Sequence, residues 1–456
     1  GQSRPATRGR GGRCGGIETY TIGKVRPMKK FVNRFLLIVA ALAVAGVLVW
    51  INQDRLFGHM SIPDDSREFA EQIKAVRADQ KWKPVRNYDR RMTREMLLES
   101  FRLGRDFMIA NQKPEGNFNY EYDFVAKKQS PLDNQVRQAG ALWGIALCHQ
   151  FEPTDASREA LKKGFDFFFR NSRPGPDDSL IVYYPGAKTV LTGTVALVAL
   201  AIVDTLSAEP NLDETERAEL DQKLVGYLNF IRNQQFKSGG FSMGLVRGVN
   251  VRLGKSSPYF DGESMLALSK AAKYAGHTEY VPTIERGAKY LAKKYTVDAW
   301  RKEQDSDKTK GFYQWGSMSF WEYQDAGWQD ADVYADTTLA LAWWIINTHS
   351  ILRRTRNTGY SFEGLTHAYR IAEKRDDKAI MSRLERTIDK GMYKLTSWQV
   401  EGPLAKRNKF LLKHHTDDPL AIGGIMNHRS EPGLRIDVTQ HQMHAVILAL
   451  RHLYKE

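Results

Sequence analysis

The sequence is poor in cysteine, because Cys14 and Cys148 are the two cysteines among its 456 residues. A disulfide framework of the kind that stabilises small secreted domains is therefore excluded. Cys148 ends the apolar run Ala-Leu-Trp-Gly-Ile-Ala-Leu-Cys, which favours core packing over a nucleophilic role. The folded part of the chain has at most one free thiol.

Several catalytic and binding motifs are also missing. The sequence has no phosphate-binding loop, no dinucleotide fingerprint and no His-Glu-x-x-His pair. Their absence argues against nucleotide-dependent enzymes. His441 and His444 lie three residues apart, but no complete metal-binding motif surrounds them. We expect neither a metal nor a cofactor.

The formal net charge of +14 raises the question of nucleic-acid binding. Residues 1–34 carry nine Lys and Arg and one acidic residue, whereas the other 422 residues carry 58 Lys and Arg against 52 Asp and Glu. The strong basicity therefore belongs to the N-terminal segment, and the remainder is mildly basic. No nucleic-acid partner is expected.

The N-terminal region contains a targeting pattern. Residues 1–27, rich in Gly and Arg, are expected to be a non-native or disordered extension that precedes Met28. Residues 28–53 predict a cytoplasmic stub followed by a transmembrane anchor, because residues 35–53 contain no charge. Residues 54–90 are polar and predict a stalk with one helix.

The residues that flank the uncharged span predict its orientation. Lys29, Lys30 and Arg34 precede it, so the positive-inside rule places the N-terminus in the cytoplasm and the main domain in the periplasm, at the inner membrane. The small residues Ala43-Val-Ala45 favour a cleavable signal peptide instead, but the apolar run continues to Trp50. The retained anchor is the preferred interpretation.

Residues 91–456 predict one all-helical domain of repeated units. Similar helix ends recur at spacings of 60, 62, 61 and 104 residues, at Gly104, Gly164, Gly226, Gly287 and Gly391. Each glycine is followed four positions later by an apolar residue. A regular unit of this length indicates stacked helical hairpins that bury their apolar faces against one another.

Within the repeats, charged amphipathic helices alternate with more apolar ones. The amphipathic helices are predicted at 93–112, 157–172, 212–234, 280–295 and 376–399. The apolar helices are predicted at 134–150, 189–206, 262–275, 334–347 and 438–454. Because helices that are polar on one side belong outside, this alternation predicts an outer and an inner ring. A further helix at 361–372 has no clear outer partner, for which 339–357 is the candidate.

Two predicted outer helices end in the same motif, Gln112-Lys-Pro-Glu-Gly116-Asn-Phe118 and Gln235-Phe-Lys-Ser-Gly239-Gly-Phe241. This Gln-x-x-x-Gly-x-aromatic motif resembles the repeat motif of the α/α toroids of terpenoid cyclases and prenyltransferases, with Phe in place of Trp. Similar turns occur in α/α-toroid polysaccharide lyases and six-hairpin glycosidases. The resemblance implies an all-α fold, an (α/α) toroid of about six helical hairpins. It says little about chemistry, because the motif is a structural clasp.

The segments that lead from outer to inner helices are rich in aromatic residues and carboxylates, which is typical of a cleft that binds sugar chains. The densest of them is predicted over residues 312–334. The candidate substrate-binding residues are Tyr120, Tyr122, Arg137, Trp315, Trp321, Trp328, Arg435 and Gln440. The candidate catalytic residues are Glu263, Asp332, Asp437, Tyr334 and His441.

Glu263 is the preferred general acid, because its apolar neighbours favour a raised pKa, and Asp332 is the preferred base or nucleophile. Since consecutive repeats pack on one another, we expect these two carboxylates to face each other across a cavity. In a lyase or epimerase, Tyr334 or His441 would transfer the proton and Arg435 would hold a substrate carboxylate. The competing interpretation is that Asp332 and Asp437 are helix N-caps.

Three functions follow from these features. The first is a membrane-anchored periplasmic enzyme that acts on a polysaccharide or glycoconjugate as a hydrolase, lyase or epimerase. The second is a non-catalytic glycan-binding scaffold among the proteins of a cell-envelope assembly complex. The third is a terpenoid or prenyl enzyme, which the sequence supports least. Cyclases protonate their substrate with Asp-x-Asp-Asp, whereas this chain has Asp330-Ala-Asp332-Val.

Overall fold

A computed structural model describes residues 66–79, 82 and 88–455. The predicted extension, the cytoplasmic stub, the anchor and much of the stalk lie outside these residues. Among the residues that are described, no helix is long and apolar enough to cross a membrane.

Fifteen helices are present in the described ranges. In chain order they are α1 (Ser66–Asp79), α2 (Arg94–Ala110), α3 (Gln135–Phe151), α4 (Asp155–Arg170), α5 (Thr192–Ala208), α6 (Glu214–Asn233), α7 (Pro258–Tyr274), α8 (Val281–Tyr295), α9 (Val297–Lys302), α10 (Asp307–Asp325), α11 (Ala331–Asn347), α12 (Gly359–Lys374), α13 (Lys378–Thr396), α14 (Lys409–Lys413) and α15 (Ile436–His452).

Six of these helices form a closed inner ring. Each packs on the next in the order α3, α5, α7, α10, α12 and α15, and α15 returns to α3. The sequence of α5 shows why it lies inside, because every residue from Thr192 to Leu206 is buried. Helices that are apolar nearly all round are stable only when neighbours cover all their sides.

The outer ring consists of α2, α4, α6, α8, α11 and α13, each of which precedes its inner partner in the chain. Amphipathic sequence places them there. In α4 the buried residues include Ala160, Gly164 and Phe168, which share one face of the helix at four-residue spacing. The predicted toroid of six helical hairpins is therefore confirmed.

Two helix assignments made from the sequence are wrong. The stretch 312–334, predicted as a loop, contains most of α10, a fully inner helix in which every residue from Gly311 to Tyr323 is buried. Its mixture of Gly, Ser, Trp and Tyr has low helical propensity, but close packing on α7 and α12 overrides that preference. The sequence lacked a helical period there, because all sides of α10 are covered.

The second wrong assignment concerns α11, which was predicted as an inner helix and lies in the outer ring, as the partner of α12. Its outer side is apolar because α1 packs on it, with Phe69 and Ile73 buried in the common core. Trp82 adds an edge-to-face contact with Trp343, with ring centroids 5.2 Å apart. Part of the predicted stalk thus covers the toroid.

The predicted clasps join neighbouring outer helices. Gln112 Nε2 donates to Gly116 O at 3.0 Å and to Ala160 O of α4 at 2.8 Å, and Gln235 repeats this geometry with Gly239 O and Thr283 O of α8. The φ angles of Gly116 and Gly239 are +103° and +110°, and a Cβ at either position would overlap a carbonyl oxygen of the next outer helix. Glycine is therefore required at both turns.

A third clasp, which the sequence motif did not reveal, closes the ring between α13 and α2. Gln399 Nε2 donates to Ser100 O of α2 at 2.9 Å and to Gly423 O at 3.0 Å. Here 23 residues separate Gln399 from Gly423, whereas three separate the corresponding residues of the other clasps. An inserted segment that contains α14 hides the motif.

The segments that lead from outer to inner helices contain short strands, which pair within and between these segments. They are β1 (Glu121–Asp123), β2 (Lys128–Gln129), β3 (Ser172–Pro174), β4 (Leu180–Val182), β5 (Thr189–Leu191), β6 (Gly244–Val246), β7 (Val251–Arg252) and β8 (Gly433–Arg435). β1 lies between β2 and β8, β5 and β7 flank β6, and β3 pairs with β4, all antiparallel. The pairing of Glu121 with Arg435 ties the first such segment to the last.

Candidate active site

A cavity of about 460 Å³ opens among the N-terminal ends of the inner helices. Because all six inner helices run in the same direction, their first turns converge at one end of the ring. The residues that line it are Asn134, Val136, Arg137, Gly140, Leu191, Leu197, Tyr259, Phe260, Glu263, Lys310, Gln314, Trp315, Asn357, Tyr360, Asn427, Arg435, Asp437, Val438, Gln440 and His441. Its size suits a small ligand or a short stretch of a polymer.

Glu263 projects from the second turn of α7 into the wall of this cavity. The residue is 3% exposed, and its Oε2 atom has no hydrogen-bond partner. The carboxylate lies against Gly193 of α5, where a Cβ would collide with Oε2. Burial raises the pKa of Glu263 to about 8, so the carboxyl group is mainly protonated at neutral pH.

Asp437 lies in the first turn of α15 and is held by two arginines. Arg435 Nε and Nη2 donate to its two oxygens at 2.9 and 2.7 Å, and Arg137 Nε lies 3.1 Å from Oδ2. Burial alone would raise the pKa of Asp437, but the arginines lower it below its ordinary value. Arg137 also contacts the hydroxyl of Tyr120, so this group fixes both arginine side chains at the cavity wall.

His441 lies one turn further along α15 and is paired with a buried carboxylate of α12. Its Nδ1 is 2.8 Å from Glu363 Oε1, and Glu363 is fully buried. Burial would lower the pKa of His441, but the charge of Glu363 raises it above its ordinary value. With Nδ1 engaged, Nε2 is the ring nitrogen left for a ligand.

Glu363 has further partners beneath the cavity. His444 Nδ1 lies 3.5 Å from its Oε2, and Gln314 Nε2 donates to the same oxygen at 3.4 Å. Burial would raise the pKa of Glu363, but the charges of His441 and His444 lower it. The carboxylate therefore stays ionised and orients the imidazole of His441.

Two further residues complete the wall. The indole of Trp315 packs edge-on against His441, with centroids 6.0 Å apart. Gln440 is 1% exposed, and its Nε2 amide has no hydrogen-bond partner although the residue lines the cavity. An unpartnered buried donor is costly and is satisfied when a ligand supplies an acceptor.

The structure brings seven of the thirteen predicted site residues to this cavity: Arg137, Glu263, Trp315, Arg435, Asp437, Gln440 and His441. Tyr120 contacts the site through Arg137. The other five, Tyr122, Trp321, Trp328, Asp332 and Tyr334, lie elsewhere.

Asp332 does not face Glu263, so the predicted carboxylate pair is wrong. It lies in the first turn of the outer helix α11, its side chain is 89% exposed, and it pairs with Arg375 at 3.2 Å. The prediction depended on α11 being an inner helix. Because the following helix α12 takes the inner position, Glu363 rather than Asp332 contributes the carboxylate from this hairpin.

The displaced aromatic residues belong to the packing between rings. Tyr334 packs against Tyr323, with centroids 4.5 Å apart, and Trp328 makes an edge-to-face contact with the same Tyr323 ring at 5.2 Å. The guanidinium of Arg370 lies 3.8 Å above the ring of Trp321. Tyr122 donates a hydrogen bond to Asp418 of the inserted segment. None of these side chains lines the cavity, so none is a sugar platform there.

Four site residues were not predicted from the sequence: Glu363, Gln314, Lys310 and Tyr360. Glu363 was hidden because the helix that carries it had no assigned ring position. The signal that identifies it is a single charged residue among the first eight residues of α12, since a carboxylate is seldom buried without a partner. Among residues 88–455, no group of three His, Cys, Asp or Glu side chains converges to hold a metal ion.

The fold and this cavity define an α/α toroid with a polar site at the N-terminal ends of its inner helices. No family model matches the chain, and no curated protein matches its sequence. Among solved structures it is similar to a D-mannose isomerase, with a TM-score of 0.55, 10% identity and 78% of this chain and 97% of that chain covered.

Two further solved structures have the same architecture. One is the GH76A α-1,6-mannanase of a Salegentibacter species, with a TM-score of 0.53 at 8% identity, covering 78% of this chain and 98% of that chain. The other is the cellobiose 2-epimerase of Bacillus thermoamylovorans, with a TM-score of 0.52 at 10% identity and the same coverage of 78% and 98%. At such low identity the similarity concerns the fold alone.

Proposed function

We propose that the protein is an enzyme that acts on a polysaccharide or glycoconjugate by acid–base catalysis in this cavity. The observation that carries the proposal is Glu263, a buried carboxyl group with an unpartnered oxygen at a ligand-sized cavity. A buried carboxyl group without a counter-ion is costly in a purely structural role. In an active site, the same burial maintains an acid that is protonated at neutral pH.

Glu263 and His441 are the two proton-transfer groups. The pKa of Glu263 is raised to about 8 by burial, and the pKa of His441 is raised by Glu363. Glu263 therefore titrates near neutral pH, where general acids and bases are most effective. Asp437 is a weaker base because both of its oxygens are bound by arginine. Its role is to orient Arg137 and Arg435 toward the substrate.

In a hydrolase, Glu263 would protonate the departing glycosidic oxygen while His441 takes a proton from the attacking water. The buried pair of His441 and Glu363 also favours a second candidate, an epimerase or lyase in which His441 removes a proton from carbon. The same two groups serve both reactions, which differ in the bond that is broken.

The solved structures of similar fold support a carbohydrate substrate. They include mannanases, a D-mannose isomerase and a cellobiose 2-epimerase, and an inactive variant of the α-1,6-mannanase is bound to an α-1,6-linked mannose tetrasaccharide. These proteins cover 78% to 84% of this chain.

The test is Glu263→Gln, which preserves shape and removes the transferable proton. We expect a loss of at least about 100-fold in turnover on the responsive glycan, with unchanged folding. Asp332→Asn is the matched control, because that exposed carboxylate should have no effect. Reducing-end assays and proton NMR would separate hydrolysis, elimination and epimerisation.

Full activity of Glu263→Gln would overturn the assignment. Tight glycan binding without turnover by the wild type would instead favour the non-catalytic scaffold of a cell-envelope complex.

We also propose that residues 35–53 anchor the protein in the inner membrane and that the toroid is periplasmic. The uncharged span and the preceding Lys and Arg residues support this orientation. The full chain should stay in the membrane fraction after carbonate washing, and a C-terminal reporter should be active in the periplasm. A soluble mature form that begins near Gly46 would identify a signal peptide instead.

A further inference from the structure

The two ends of the toroid carry opposite charge. The six segments that lead from outer to inner helices, here called the mouth segments, lie at the cavity end and span 111–134, 171–191, 234–257, 296–306, 348–358 and 397–435. Together they contain 20 Lys and Arg against 13 Asp and Glu. The five segments at the opposite end contain seven acidic residues and Arg375 as the single basic one; they span 152–154, 209–213, 275–280, 326–330 and 375–377.

The cavity has the same sign as the mouth segments. Arg137, Lys310 and Arg435 line it, whereas Asp437 is its ionised carboxylate. Glu263 adds no negative charge at neutral pH, because burial raises its pKa to about 8. The ion pair of His441 and Glu363 is neutral as a unit. The walls therefore have an excess of positive charge.

The helix N-termini and a side-chain amide at the cavity also favour a ligand that carries acceptor oxygens or negative charge. Six helix N-termini surround the cavity, and each contributes a partial positive charge. The independent observation is Gln440, which lines the cavity and whose buried Nε2 has no partner, so that an acceptor oxygen of a ligand would satisfy it. Lys310 is also available, since its nearest acidic neighbour, Asp307, is 3.9 Å away and the lysine side chain is 37% exposed.

We propose that the substrate is an anionic glycan, whose acidic groups are bound by Arg137, Arg435 and Lys310 and attracted to the cavity by the basic mouth segments. This inference rests on the proposed function and adds the substrate class. An excess of one charge around a cleft raises the local concentration of oppositely charged ligands, in a manner that salt suppresses. Arginine forms strong charge-assisted hydrogen bonds with carboxylate and sulfate oxygens, and Asp437 occupies only part of the donors of Arg435 and Arg137.

The experiment compares polymers that differ only in charge. The full chain in detergent is titrated with a polyuronic acid, with the same polymer after reduction of its carboxyl groups, and with a sulfated neutral glycan. We expect the reduced polymer to bind at least about tenfold more weakly, and binding of the acidic polymer to fall between about 50 and 200 mM salt. Preference between the polyuronic acid and the sulfated glycan identifies the acidic group.

Variants locate the effect. Lys310→Gln should weaken acidic-polymer binding about three- to fivefold, as expected for one partly exposed charge. Lys308→Gln is the matched control, because Lys308 lies on the same helix, is exposed and does not line the cavity. Equal loss of binding in the two variants would show that the position of Lys310 in the cavity is not important for binding the acidic polymer.

Equal binding of the acidic and reduced polymers would overturn the anionic class. Glu263-dependent turnover of a neutral polymer would also overturn it while leaving the proposed enzymatic function intact. Strong binding of the acidic polymer without turnover of any glycan would support the anionic class and contradict the proposed enzymatic function. Salt-sensitive binding to anionic phospholipid vesicles, with none to the glycans, would show that the basic end docks on a membrane instead.

Discussion

Buried carboxylates occur at both ends of the inner ring, but their surroundings differ. At the end opposite the cavity, Asp204 accepts from Trp143 Nε1 at 2.7 Å and forms an ion pair with Lys270. Glu322 accepts from Lys273 Nζ at 2.7 Å and from the hydroxyl of Tyr274 at 2.8 Å. At the cavity end, Glu263 keeps one oxygen without a partner.

The difference distinguishes buried carboxylates that stabilise the fold from a buried carboxyl group that is available for a reaction. A paired buried charge lowers the free energy of the folded state relative to the state in which one partner is missing, so its removal is felt as lost stability. An unpartnered buried carboxyl group costs stability and is retained where its altered pKa is useful. Substitutions of Asp204 and of Glu263 should therefore have opposite consequences for folding stability and for activity.

The largest expected effect is on stability at the paired end. Asp204→Ala leaves Lys270 and the Trp143 indole without their acceptor, so the free energy of unfolding should fall by roughly 3–5 kcal/mol. Denaturant unfolding would measure this, with Glu159→Ala on the exposed face of α4 as a control near zero. A loss under about 1 kcal/mol would show that the buried pair at this end is not a stabilising element.

The second effect is the pH dependence of stability at the cavity end. Between the ordinary pKa of 4.5 and the folded pKa of about 8, Glu263 is protonated when folded and ionised when unfolded. Unfolding then releases a proton, so the wild type loses stability as pH rises through this window. Glu263→Gln should match the wild type near pH 4.5 and exceed it near pH 8, by on the order of 3 kcal/mol. Parallel stability curves for the two proteins would contradict the raised pKa.

Two glycines, one from each end of the toroid, allow the cost of adding a side chain to the backbone to be compared. Gly239 at the cavity end and Gly276 at the opposite end both have positive φ, but a Cβ would meet the α8 backbone only at Gly239 and open space at Gly276. Gly239→Ala should therefore cost roughly 1–3 kcal/mol, and Gly276→Ala about 1 kcal/mol or less. Thermal unfolding measures both losses of stability. Equal losses would show that the close approach of α8 to Gly239 does not make glycine necessary there.

The smallest expected effect tests how Glu363 acts on His441. If His441 is the base, activity rises with pH as its imidazole deprotonates. Glu363→Gln removes the charge that raises the pKa of His441, so this acidic limb should move to lower pH. The alkaline limb, set by Glu263, should stay in place. An unmoved acidic limb would mean that Glu363 has only a packing role.

The two-ring architecture could be predicted because a helix with one buried face has an amphipathic sequence and a fully buried helix has an apolar one. Five outer helices and four inner helices were found in this way. The prediction failed at α10 and α11. Helix α10 is rich in polar and aromatic residues although it is enclosed, and the outer side of α11 is apolar because α1 covers it. Both failures displaced Asp332 and the aromatic residues of 321–334 from the site.

Local sequence patterns were sufficient to predict the repeat, the clasp glycines, the order of outer and inner helices in most hairpins, and the cavity positions of Glu263, Asp437 and His441. These properties depend on local periodicity and on the fact that inner-helix starts meet at one end of a toroid. Which carboxylate pairs with which cation became clear only in the folded structure. Those contacts join residues 78 positions apart, as in Glu363 and His441, or link the first and last hairpins, as in Arg137 and Asp437. Such distances are set by how helices pack around the whole ring, and no local sequence pattern encodes them.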